Sequence, residues 1–194
     1  MSAFLGPVHY WLYHKIQMQE ELTARFADMA LQNGWIETDS YSHCDTHSLE
    51  SIIDESNIHG WLQEHIHSAE HRFAELITEI LRSHTGRMEQ LQETAFTFGQ
   101  KLSDTALKEP SEAYKLFNDS FVNGMPCDGV NHIISEEKDC LSWEESVDMH
   151  SGYWQDGNAA PYYTIRLSVM KGMLDGINLD VEEYEPKKFH ILRR

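Results

Sequence analysis

Apolar residues at helical spacing constrain this chain more than any other feature. Ile58, Leu62, Ile66, Ala69, Phe73, Leu76, Ile77 and Ile80 recur at steps of three and four, which puts them on one face of a helix over about 57–83. A helix apolar on one face gains most of its stability by packing that face, so partners are required. Val8, Trp11, Leu12, Ile16, Leu22, Phe26, Met29 and Ala30 supply one such stripe in a helix that Pro7 opens and Asn33-Gly34 ends. Met88, Leu91, Ala95, Phe98 and Leu102 mark a third, and Glu109-Pro110-Ser111 opens a shorter fourth that stops at Asn123-Gly124. Residues 35–47 read as a polar loop, followed by a brief helical segment near Leu49 to Ile53.

The texture changes after Gly124. Met125 to Gly129 reads as a turn, and Val130 to Ser135 and Cys140 to Trp143 as short strands around a charged bend. A helical turn or two is expected near Val147 to Trp154. Pro161 then opens a helix to about Gly176, and Leu179 to Tyr184 and Phe189 to Leu192 can pair around Pro186-Lys187. The expected fold is mainly α within the α+β class. It is an antiparallel helical bundle of about four helices (1–124) with a small C-terminal strand–helix–hairpin layer (125–194), in a single domain 1–194.

Fifteen Lys and Arg against thirty-two Asp and Glu give a net charge of −17, with twelve His counted neutral. A surface that negative repels nucleic-acid backbones and anionic lipid headgroups, so neither is an expected partner. No stretch approaches the ~20 apolar residues of a membrane span, and the N-terminus lacks the features of a signal peptide. Cys44, Cys127 and Cys140 contain no CxxC pair, which points to thiols in a reducing cytoplasm rather than to a disulfide framework.

The 46 residues between Arg25 and Arg72 hold no Lys or Arg, yet carry nine acids and six of the twelve His. A field of that sign favours a bound cation. Within the window, His43, Cys44, Asp45 and His47 offer imidazole, thiolate and carboxylate in five positions. Glu64, His67 and His71 fall on one side of a helix at i, i+3 and i+7, where two imidazoles one turn apart can grip a metal. The leading expectation is therefore a divalent or transition metal ion, zinc or iron, held by segment 43–71. Its structural alternative is a wet helix face and a capping loop, because His67 and His71 lie opposite the apolar stripe.

A second cluster lies near the C-terminus. Arg166 interrupts the apolar stripe Tyr162, Val169, Met170, Met173 and Ile177, and an arginine there needs a carboxylate or another anion. With His150 and Tyr153 it would anchor a small organic anion. Its structural alternative is an ion pair to Glu145 or Asp148, with His150 a core histidine; His9 reads as a core histidine too. A third reading is a non-catalytic interaction protein, homo-oligomeric or pH-responsive through its histidines. The nucleophile elbow, Walker loop and dinucleotide fingerprint are absent, so the sequence leaves open whether the protein is an enzyme.

Overall fold

The computed structural model describes residues 4–44 and 46–194. The chain is mixed α and β, mostly helical, with one four-stranded antiparallel sheet. Its elements are α1 (Pro7–Gln32), α2 (Leu49–Ile52), α3 (Ile58–Ser83), α4 (Met88–Leu102), α5 (Pro110–Ser120), β1 (Asn131–Glu137), β2 (Cys140–Glu145), α6 (Ala160–Met173), β3 (Leu179–Glu185) and β4 (Lys188–Arg193). None of the described helices is long and apolar enough to cross a membrane.

The helix ends have local causes. Pro7 occupies the first turn of α1, where its missing N–H costs nothing. The Asn57 side chain accepts from the Gly60 N–H at 3.2 Å and starts α3. Gly34, with φ of 66°, carries the chain out of α1 in the left-handed conformation that glycine adopts freely. The expected fourth helix stops earlier than its Asn-Gly signal, at Ser120.

The chain divides into two compact units, residues 1–84 with 119–128, and 85–118 with 129–194. In the first, α1 packs on α3. Leu12, Ile16, Leu62, Ile66, Ala69 and Val122 form one buried cluster, and Phe26 meets Phe73 edge-on at 6.0 Å. In the second, α4 packs closely on α6.

The sheet runs β1-β2-β4-β3, with every neighbouring pair antiparallel. Leu141 and Trp143 of β2, Phe189 and Ile191 of β4, and Leu179 and Val181 of β3 are buried on one face. Trp143 stacks on Phe189 at 5.1 Å and receives Tyr114 of α5 edge-on at 5.3 Å. The β1–β2 strands, α6 and the β3–β4 hairpin match the expected order, and the four strands join in one sheet.

Two glycines set how closely α4 and α6 approach. A Cβ on Gly99 would lie 2.1 Å from the Val169 carbonyl oxygen, and one on Gly172 would lie 2.1 Å from that of Phe96. Both obstacles are backbone, which cannot rotate away. Alanine ordinarily gains up to ~1 kcal/mol over glycine inside a helix, but here overpacking outweighs that gain. Gly99→Ala and Gly172→Ala should each destabilise by about 1–3 kcal/mol in denaturant titrations. Gly86→Ala, where a Cβ meets nothing within 4 Å, should be neutral or slightly stabilising.

Candidate functional site

The structure overturns the metal expectation. Among the described residues, no group of three or more His, Cys, Asp and Glu side chains is placed to hold a metal ion. Glu64, His67 and His71 lie on the exposed side of α3, as the wheel's alternative implied. His43 and His47 are exposed in the loop, Cys44 is half-buried with its thiol 3.8 Å from the Gln17 carbonyl, and Asp45 lies outside the described residues. The loop is tied down through its backbone. Arg72 of α3 pairs with Glu20 of α1 and donates to the carbonyls of Tyr41 (3.2 Å) and His43 (3.0 Å), while the Tyr13 hydroxyl donates to the His47 carbonyl (3.1 Å). The first cation after the long acidic stretch therefore fastens the loop to the helices instead of leaving its side chains to converge on an ion.

In the second unit Arg166 has the carboxylate partner that its place in the apolar stripe demands. Its Nη1 pairs with Glu145 Oε1, and the two residues are only 4% and 5% exposed. Burial opposes the guanidinium's charge, but Glu145 and the neighbouring tyrosines outweigh it and raise the Arg166 pKa above its ordinary value. Of the two expected partners, Glu145 is the one used. His150 is buried as a core histidine, stacked on Tyr162 at 3.8 Å with Tyr163 edge-on at 5.9 Å. The Arg166 guanidinium carbon lies 6.0 Å from the Tyr162 ring centre, so His150 and Arg166 share one aromatic neighbour. Tyr153 is half-buried in the 3₁₀ turn that follows His150.

Above this pair is a layer that the sequence reading did not single out as a site. Tyr163 is buried, and its hydroxyl makes no hydrogen bond of good geometry. Burial, reinforced by the Glu145 charge, pushes that phenol well above its ordinary range. Lys187 Nζ lies 5.6 Å from the Tyr163 ring centre and 2.8 Å from Asp148 Oδ2, in an ion pair open to solvent. Burial works against the Asp148 carboxylate. Lys187 together with the hydroxyl and N–H of Ser151 overcomes it, so the pKa falls well below the usual carboxylate range. Lys187 is also the only non-glycine residue with positive φ among those described, at 61°. Such strain persists only where surrounding contacts enforce it, and here the Glu145 N–H donates to the Lys187 carbonyl at 3.0 Å. The Pro186-Lys187 turn was legible in the sequence, but its position over Tyr163 depends on strand register.

The buried pair yields a clear expectation. Glu145→Gln leaves a buried guanidinium without its counter-charge and should cost about 3–5 kcal/mol of unfolding free energy. Arg166→Met combined with Glu145→Leu should lose far less than the two single changes together, because neither ion remains to be solvated. Comparison of the chain with protein-family models, with curated proteins and with solved structures returned no match.

Proposed function

We propose that the second unit binds a small zwitterionic molecule of the amino-acid type at the cluster Lys187, Asp148, Tyr163, Glu145 and Arg166. The observation that carries this reading is the buried Tyr163 hydroxyl, which lacks a well-formed hydrogen bond beneath a solvent-facing ion pair. A fully unsatisfied buried hydroxyl costs about 1–3 kcal/mol; Tyr163, with only a poorly aligned contact to Glu145, bears part of that cost, and a ligand group reaching it recovers that part.

Charge balance selects the ligand class. Two cations, Arg166 and Lys187, face two carboxylates, Glu145 and Asp148. A lone organic anion, the ligand expected from Arg166, His150 and Tyr153, would compete with Glu145 for a buried guanidinium and leave an unmatched negative charge. That is expensive in a medium of low polarity. A molecule with one ammonium and one carboxylate preserves the balance. It can exchange partners with the exposed Lys187–Asp148 pair, whose own attraction is worth only ~0–1 kcal/mol in water. Its carboxylate then faces Lys187, its ammonium faces Asp148, and a polar side chain reaches toward Tyr163.

Thermal-shift measurements with free amino acids, simple carboxylic acids and simple amines test this reading. At about a hundredfold excess over Kd a true ligand adds ~2.7 kcal/mol, or several degrees for a chain of this size. One or more amino acids should give that shift, while the acids and amines should not. Tyr163→Phe removes a poorly bonded buried hydroxyl, so it should leave folding intact and lose the shift. Lys187→Gly should lose the shift and relieve the positive-φ strain. Equal shifts in Tyr163→Phe, or none from any amino acid, would reject the proposal.

A further inference from the structure

In the first unit, His9 sits at the third position of α1 and is 4% exposed. Its Nδ1 accepts the Gly6 N–H at 2.9 Å, closing the helix N-terminus from the side-chain end. Its Nε2 lies 3.4 Å from Nε2 of His59, an exposed residue in the first turn of α3, with ring centres 5.5 Å apart. A backbone N–H can only donate, so Nδ1 of His9 must carry a lone pair. The His9 proton therefore resides on Nε2, and Nε2 of His59 accepts it, which puts the His59 proton on its Nδ1. One amide thus fixes the tautomers of both rings in this arrangement.

We infer that this pair is a proton-operated latch joining the N-terminus of α1 to that of α3. An added proton on Nδ1 of His9 displaces the Gly6 amide. An added proton on Nε2 of His59 confronts the N–H of His9, and the contact is restored only if His9 changes tautomer and gives up the cap. Either site of protonation breaks one of the two hydrogen bonds. It also places positive charge beside helix N-termini, where the backbone is already electropositive.

Among the described residues, no carboxylate contributes to the shift of His9. The first turn of α1 contains no acid. On α2, Glu50 accepts from the Tyr10 hydroxyl. In the segment 119–128, Asp119 accepts the Trp11 indole N–H at 2.9 Å, and Lys15 lies 4.0 Å over the Trp11 ring. From α3, His59 faces His9 directly. Burial first, then electrostatic repulsion between the two imidazoles when both take up protons, lowers the His9 pKa from its usual value. The unfolded chain therefore takes up the proton at higher pH than the fold does. The latch's contribution is complete above the ordinary histidine range and is lost as pH falls from about 6.5 toward the lowered value.

Amide hydrogen exchange of residues 9–12 between about pH 7 and about pH 5, corrected for intrinsic rates, reads the latch directly. Wild-type protection should fall by about tenfold for each unit by which the fold lowers the His9 pKa. His9→Gln keeps an acceptor for Gly6 and a donor for His59 but cannot take the proton, so its profile should be flat. His59→Gln retains the cap and should show a shallower fall than wild type. Imidazole nitrogen shifts of the unmodified protein should report an Nε2 proton on His9 and an Nδ1 proton on His59. The latch is overturned if both variants follow the wild-type profile, if wild-type protection does not change, or if His9 carries its proton on Nδ1 at neutral pH.

Discussion

Arg166 cannot shed its charge, and much of the second unit is arranged around that fact. A guanidinium on the apolar side of α6 must meet a carboxylate, and the one it meets is the last residue of β2. Glu145 is held in turn by its own N–H, which donates to Lys187 at the β3–β4 turn. The pairing of Glu144 with Lys188 sets where that turn falls along β2. Lys187 accepts a left-handed backbone, which brings its side chain over Tyr163 and onto Asp148. One buried charge thus propagates through strand register to a strained residue at the surface. A shift of register by one residue would turn Glu145 to the other face of the sheet and strand the arginine.

The order of the elements and several of their starts were legible because they rest on local chemistry. Pro7 and the apolar spacing of α3 set helix positions that tertiary contacts do not contradict. Partner choice was not legible. An amphipathic stripe states that a helix needs a neighbour, whereas the neighbour of α4 is chosen by Gly99 meeting Gly172 at backbone distance. Gly99 and Gly172 are far apart in the chain, and an apolar stripe says nothing about either. The early end of α5 at Ser120 has a similar lesson, since a downstream Asn-Gly marks only the last place a helix can stop.

The candidate site was legible in half. Arg166 and His150 stand out in sequence because a charge and an imidazole interrupt apolar stripes, and both are buried. Tyr163 and Lys187 do not stand out, because their roles come from what is brought over them. The metal expectation failed for a related reason. A run of acids and histidines without lysine or arginine describes order along the chain, while coordination requires convergence in space. The α3 helix sends Glu64, His67 and His71 outward, and Arg72, the cation that ends the run, fixes the loop by its carbonyls.

Scarcity of positive charge links the two functional readings. In a chain of net charge −17 the cations are few, and Arg72, Arg166, Lys187, Lys188 and Arg193 are each engaged by a carboxylate. An incoming anion would have to break such a pair, whereas a zwitterion exchanges partners without changing the total. A proton enters without disturbing any of them, and it acts where an imidazole is already committed to a backbone amide. At His150 the imidazole is packed between tyrosines, so its neighbours are chiefly aromatic faces. At His9 the amide of Gly6 dictates which nitrogen is bare, so that same nitrogen is the one that acid occupies. Of these two buried histidines, only His9 has a helix cap that depends on its remaining unprotonated.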